Sequence, residues 1–260
     1  MKVVILCGGM GARLREETEF RPKPMVEIGG KPILWHIMKH YAHYGFTDFV
    51  LCLGYKGAVI KEYFYHYILH TSDVTLKLGG PNREMVFHEN KDAENWTVTL
   101  ADTGEHTLKG ARIKKIERYI DTDSFMLTYG DGISDVDLKK LADFHHSHGK
   151  IGTVTGVEPR SSFGQIVQEG GQVLDFIEKP KIERSMVNGG FFVFNRKLFD
   201  YLSDREDCDF EIGPLETLTK EGQLMVHNHT GDWACMDTYR DVTHLNKVWD
   251  SGKAFWKVWP

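Results

Sequence analysis

Apolar residues recur along the chain in two alternating rhythms. Short unbroken runs occupy residues 2–7 (KVVILC), 48–53 (DFVLCL) and 125–129 (FMLTY), and each ends at glycine: Gly8-Gly9, Gly54 and Gly130. A run with no polar interruption suits a strand covered on both faces. Between these runs the spacing changes to that of a helix. From Pro32 onward, Ile33, Ile37, Met38 and Tyr41 share one face, with Gly45 as the stop. Residues 59–67 carry the next helix, and Leu138, Leu141, Ala142 and His145 mark another, stopped by Gly149.

This alternation predicts an α/β fold with a Rossmann-like doubly wound sheet, whose ligands bind beyond the carboxyl ends of the strands. The second half reads differently. Residues 151–157, 164–168, 173–177 and 191–194 are short strand candidates between turn signals, with helices near 212–220 and 239–249. The expected sheet is therefore mixed, with added β-hairpins. No repeat, low-complexity tract or Pro/Ser-rich linker divides the chain, so residues 1–260 are expected to form a single domain.

Charge narrows the partners. The 32 basic and 37 acidic residues give a net charge of −5, which offers no general attraction to nucleic acid or anionic lipid. No stretch reaches the roughly 18 apolar residues of a membrane span, and the opening MKVVIL is too short for a secretion signal. Cys7, Cys52, Cys208 and Cys235 are scattered, and the first two sit in apolar runs as expected core thiols. A cytoplasmic, reducing compartment is expected, with neither nucleic acid nor membrane as partner.

Candidate chemistry gathers at strand ends. The first strand leads into CGGMGARL, where Gly8, Gly9 and Gly11 let backbone N–H groups approach an anion and Arg13 adds charge. The dinucleotide pattern G-x-G-x-x-G fails at Leu14, and no G-K-[ST] completes a Walker A loop. Pro22 and Pro24 bracket Lys23 and are expected to hold it extended, so that it loses little freedom on meeting an anion. Asp131 stands between Gly130 and Gly132, past the third apolar run. Ser134 and Asp135 are expected to cap the helix that begins near Leu138 rather than to form a D-x-D metal motif with Asp137. His145, His146 and His148 lack the carboxylate or thiol that would complete a zinc site.

GGMGARL followed by RPKPMVEIGGKPILWHIM resembles the signature region of the sugar-1-phosphate nucleotidyltransferases, usually written G-G-x-G-T-R-L and then P-K-P-M. Further similar segments follow in order over the whole chain: GYKG, TYGDG, FHHSHGK, EKPK, NGGFFVFN, MDT and the closing KAFWKVW. Their form resembles that of the family members that use CTP. One position departs. Ala12 replaces the usual Thr; if that hydroxyl touches a phosphate, its loss removes one hydrogen bond worth about 0.5–1.5 kcal/mol net, less than the backbone cradle supplies.

The resemblance implies cytidylyl transfer from CTP to α-D-glucose 1-phosphate, giving CDP-glucose and pyrophosphate, with Mg²⁺ as cofactor and no covalent enzyme intermediate. It implies a nucleotide-binding half near residues 1–135 and a sugar-binding half near 136–260. Catalysis falls to Arg13 and Lys23. Nucleotide contacts fall to Leu6, Cys7, Gly8, Gly9, Met10, Gly11, Ala12, Arg13 and Lys23, to Thr103, Gly104 and Arg112 beneath the base, and to Tyr129, Gly130 and Asp131. Arg112 is the expected reader of cytosine, through its O2 and N3 acceptors. Glu178, Lys179, Asn188 and Gly189 are implied to hold the sugar and its phosphate, and Asp131 with Asp237 the Mg²⁺.

A homo-oligomer, specifically a hexamer, is implied too, and the aromatic tail (Trp249, Phe255, Trp256, Trp259) is expected to dock on its own body or on a neighbour. Alternatives stay open: UTP or dTTP as donor, another hexose 1-phosphate, a glycosyltransferase, or a non-catalytic nucleotide-sugar-binding subunit. The last would be expected to lose Arg13, Lys23 or an aspartate, and all are present.

Overall fold

Successive residues of a strand point to opposite faces, and here both faces are apolar. In β1 (Val3–Leu6), Val3 and Ile5 join one buried cluster while Val4 and Leu6 join a second. In β2 (Asp48–Leu53), Phe49 and Leu51 join the first cluster, and Val50 and Cys52 the second. The sheet lies between two cores, which is why these runs carry no polar alternation.

The computed structural model describes residues 1–79, 84–88, 90, 93–159, 165–177 and 186–260. From β1 the chain passes through α1 (Ile33–His43) to β2, then through α2 (Gly57–Tyr65) to β3 (Thr97–Asp102). After α3 (Lys109–Lys115) it enters β4 (Ser124–Tyr129), and α4 (Leu138–His148) leads to β5 (Gly152–Val157). β6 (Val187–Asn195), β7 (Leu224–His229) and α5 (Tyr239–Asp250) follow. The strand order is β7-β5-β6-β4-β1-β2-β3. β1 pairs in parallel with β2 and β4, β2 with β3, and β5 with β7, whereas β6 runs antiparallel to β4 and β5. The sheet is mixed, as expected. Among the described residues, hairpins outside it include Glu27–Ile28 with Lys31–Pro32, Val74–Lys77 with Glu84–Phe87, and Gln165–Glu169 with Gln172–Ile177.

α1, α4, α5 and the C-terminal tryptophans pack on the first face of the sheet; α3 packs on the second. The strand order reverses beside β1, the position where such sheets open a crevice. Register places Leu6 next to Tyr129, so the loops after β1 and β4 leave the sheet together. The Gly130 amide donates to the Leu6 carbonyl at 3.0 Å and ties the two exits.

Some local expectations are corrected. α4 is capped by Asp137, whose carboxylate accepts from the Lys139 and Lys140 amides. Asp135 instead meets His229 at 2.9 Å and the Asp232 amide at 2.8 Å, because the chain from β7 crosses above it. The helix expected over 59–67 ends at Tyr65, and Tyr67–Thr71 forms a separate short helix. The helix expected near 212–220 is regular only over Glu216–Lys220. Ile212 and Gly213 leave helical geometry ahead of Pro214, which has no amide hydrogen to give. Residues 109–115, expected in a loop beneath the base, form α3. Among the described residues, no helix is long and apolar enough to cross a membrane.

Candidate active site

The loop after β1 turns on glycines, and at Gly8 and Gly11 neighbouring side chains leave no room for a Cβ. Gly11 adopts φ +60°, and a Cβ there would overlap the Thr18 methyl group. Gly8 rests directly against the Arg112 guanidinium, so even an alanine would collide with it. The turn Ala12–Leu14 then carries Arg13 outward over the cleft.

Lys23 opens a 3-10 turn over Lys23–Met25 in place of the extended geometry expected between two prolines. The Met25 amide donates to the Pro22 carbonyl at 2.8 Å and closes the turn. What fixes the lysine head is an ion-pair network. Lys23 Nζ donates to Asp131 Oδ2 at 2.8 Å and to Asp237 Oδ1 at 2.5 Å, and Arg13 reaches the same Asp237 oxygen at 2.9 Å. Burial favours loss of the ammonium proton, but Asp131 and Asp237 outweigh it, and the Lys23 pKa lies above its ordinary value. The lysine stays charged.

Two chain crossings bring the aspartates together. The ribbon of Gly132–Ser134 with Trp233–Cys235 lays the two segments side by side, and the Met236 amide donates to the Asp131 carbonyl at 2.9 Å. Thr238 and Asp241 form a capping box at the start of α5, and Asp241 Oδ2 accepts the Asp237 amide at 3.0 Å. One ligand atom each from Asp131, Cys235 and Asp237 lie within 4.8 Å of one another. The two carboxylates fit a hard divalent cation that keeps water and phosphate oxygens as further ligands. The thiol does not fit it: burial, followed by the charges of Asp131 and Asp237, pushes the Cys235 pKa far up, and neutral sulfur is a poor ligand for such an ion.

The cleft above the sheet has a volume of about 520 Å³. Leu6, Cys7, Gly8, Gly9, Gly11, Ala12, Arg13, Lys23, Tyr129, Gly130, Asp131, Asn188 and Asp237, all expected in the site, line it together. Lys109, Glu211, Trp233 and Cys235 line it too and were not among the expected site residues. No spacing in sequence relates Lys109, Tyr129 and Glu211, yet Tyr129 donates to Glu211 Oε1 at 2.7 Å and Lys109 meets the same oxygen at 2.5 Å. Gly189 contributes its carbonyl, which accepts the Trp233 indole N–H at 2.8 Å.

Other expected residues sit elsewhere. Met10 is exposed at the loop tip, and Thr103 is buried with its hydroxyl bonded to the Leu53 carbonyl at 2.6 Å. Arg112, expected at the cytosine edge, is not among the residues that line the cleft. Its guanidinium is buried and donates to the carbonyls of Leu53, Gly104 and Glu105 and to the Thr103 hydroxyl, at 2.6 to 3.1 Å. The Gly8 backbone lies directly against this guanidinium. Glu178 and Lys179 lie outside the described residues.

Known proteins resemble the chain over its length. The nucleotidyl transferase family matches residues 2–254. The glucose-1-phosphate cytidylyltransferase of Salmonella typhi is 52% identical over 260 residues, covering 100% of both chains, and that of Salmonella typhimurium is 52% identical with the same coverage. Among solved structures, an apo UDP-glucose pyrophosphorylase superposes with a TM-score of 0.69 at 18% identity, covering 97% of this chain and 98% of its own.

Proposed function

The chain belongs to the nucleotidyl transferase family, and we propose that it transfers the cytidylyl group of CTP to glucose 1-phosphate, giving CDP-glucose and pyrophosphate. One observation carries this reading from the structure. A lysine ammonium is held between two aspartates, beside a glycine loop, where the strand order reverses.

The chemistry needs no nucleophile from the protein. An oxygen of the sugar phosphate attacks the α-phosphorus of CTP, the bond to the β-phosphate oxygen breaks, and pyrophosphate leaves with that electron pair. Such transfers are accelerated by alignment and by charge neutralisation. The amides of the Gly8–Gly11 turn receive phosphate oxygens, with Arg13 neutralising the β- and γ-phosphates and then the pyrophosphate. Lys23 serves the α-phosphate, where negative charge concentrates during the displacement. Asp131 and Asp237 hold a divalent cation, Mg²⁺ in this reading, which when bound neutralises phosphate oxygens. Asn188 and Gly189, together with Glu178 and Lys179, receive the sugar phosphate. The base lies beside Gly8, with Arg112 as the proposed reader of the cytosine O2 and N3 acceptors.

The same proposal includes one catalytic domain over residues 1–260, supported by strands from both halves sharing one sheet. It also includes a cytoplasmic location and a hexameric assembly of this chain. Exposed apolar side chains on the Gln172–Ile177 strand, Leu174 and Phe176 among them, support the assembly.

Pyrophosphate release with Mg²⁺ and glucose 1-phosphate, offering CTP, UTP, dTTP, ATP and GTP in separate reactions, tests the reading. Release with CTP is expected. Release only with UTP or dTTP would replace the base, and silence with every nucleotide and a panel of sugar phosphates would favour the binding-subunit alternative.

A further inference from the structure

Tyr129 ends β4 beside the segment of β6 that carries Asn188, and its single hydroxyl proton decides what it can do there. Glu211 Oε1 accepts from the Tyr129 hydroxyl at 2.7 Å and from Lys109 at 2.5 Å. An ammonium can only donate, so Oε1 is the acceptor in both contacts and the Tyr129 proton is committed to it. Glu211 Oε2 is closed to solvent. With Oε1 holding two donors already, the carboxylate acts on the cleft through Tyr129 and not by touching a ligand.

The Tyr129 oxygen is left as an acceptor, and it accepts from Asn188 Nδ2 at 3.0 Å. Asn188 Oδ1 in turn accepts the Gly190 amide at 2.9 Å. The two ends of the amide are thereby told apart, nitrogen towards Tyr129 and oxygen towards Gly190. One N–H and one oxygen lone pair remain, on a side chain that is exposed and lines the cleft. A donor beside an acceptor suits a sugar hydroxyl, which both gives and takes a hydrogen bond. Packing holds the parts in place. The Tyr129 ring rests on Gly190, where φ is +82° and a Cβ would overlap it, and meets Phe192 edge-on at 5.8 Å between centroids. Asp209 Oδ1 accepts the Glu211 and Ile212 amides at 2.8 and 3.0 Å and pins the irregular turn that presents the carboxylate.

We propose that Glu211 and Tyr129 are positioning residues for the sugar phosphate: by claiming the Tyr129 proton, Glu211 fixes the Asn188 amide in the orientation that meets a hexose hydroxyl. The assignment rests on the reaction proposed above, with Asn188 as a sugar contact. It gives the buried carboxylate a part in sugar binding without contact to the sugar.

A double-mutant cycle on the KM for glucose 1-phosphate tests this coupling. Asn188→Ala is expected to raise that KM by about 10-fold or more, and Tyr129→Phe and Glu211→Ala by about fivefold each, with the KM for CTP within about twofold of wild type throughout. Because all three act through one amide, adding Tyr129→Phe or Glu211→Ala to Asn188→Ala should raise the KM by less than about twofold further; independent residues would each add their full factor. Glu211→Gln keeps an acceptor for Lys109 and Tyr129 and should recover most of the loss seen with Glu211→Ala. Should Glu211→Ala fail to fold, Tyr129→Phe, which keeps the ring and removes only the hydroxyl, carries the cycle alone.

Losses that multiply in the double variants would separate Tyr129 and Glu211 from Asn188 and overturn the proposal. A rise in the KM for CTP in place of that for the sugar phosphate would do the same. An unchanged KM for glucose 1-phosphate in Asn188→Ala would remove Asn188 from the sugar and end the assignment while cytidylyl transfer stands. If wild type releases no pyrophosphate from CTP and glucose 1-phosphate, the reading of the reaction falls, and this assignment with it.

Discussion

A single ammonium group organises the reactive end of the cleft. Lys23 spans Asp131 and Asp237 and shares the second with Arg13, so removing any member leaves the others with uncompensated charge. Arg13 is the most exposed of the four and is free to follow a phosphate. Arg13→Ala is expected to lower turnover by more than about 100-fold, near 2.7 kcal/mol on the barrier, as measured by pyrophosphate release. A variant within about threefold of wild type would remove Arg13 from the mechanism. Asp237→Asn is expected to abolish Mg²⁺-dependent activity while its circular dichroism spectrum stays that of wild type; an unchanged metal titration would leave Asp237 a structural role. These four residues were legible in the sequence because each sits in a motif. Glu211 and Lys109 were not, because only the folded chain brings them to Tyr129.

Secondary-structure elements carry their own predictions. Asp137 caps α4 through two amides and lies at the surface, remote from the cleft. Asp137→Ala should cost about 1 kcal/mol of stability in urea unfolding and leave activity unchanged. α1 buries two histidines, and each is locked as the neutral ring. His36 Nε2 donates to the Ile28 carbonyl at 2.8 Å and its Nδ1 accepts from Trp256; His40 donates to the Val136 carbonyl at 2.8 Å. Burial lowers both pKa values from 6.5 to about 4. The unfolded chain therefore binds protons first as pH falls. Stability is fully present above pH 6.5 and is lost between there and about 4. Each histidine contributes a slope of at most about 1.4 kcal/mol per pH unit. Unfolding midpoints measured between pH 7 and 5 should fall, and His40→Gln, which keeps a donor for Val136, should flatten the fall. An identical pH profile in the variant would show that His40 is not one of the titrating groups.

At the scale of the whole molecule, the C-terminus closes one face of the sheet. Trp256 is fully buried, stacks with Trp249 at 6.3 Å between ring centroids, and donates to His36. The sequence left two partners for this tail, its own body or a neighbour. The tail lies on α1 of its own chain, and through α5 it braces the segment that carries Asp237. Trp256→Ala should cost about 3–5 kcal/mol in denaturant unfolding, with loss of the unfolding midpoint preceding loss of catalysis in stable fractions. A loss below about 1 kcal/mol would mean that the tail is not part of the core.

Local pattern alone determined the parts that depend on neighbours in sequence. Unbroken apolar runs gave the central strands, because both faces of the sheet are covered. Helical spacing gave α1, α4 and α5, and glycines gave the strand exits. The motifs gave Arg13, Lys23, Asp131 and Asp237. The edge strands β3 and β7 stayed hidden, since partial exposure mixes polar with apolar residues and dilutes the period. Tertiary structure decided whatever rests on contacts between distant segments. It took Asp135 from its expected cap to His229, set Arg112 beneath Gly8 with its donors on backbone carbonyls, and joined Lys109, Tyr129 and Glu211 in one network. A buried polar group must find its partner wherever the fold brings one near, and neither spacing nor propensity encodes that distance.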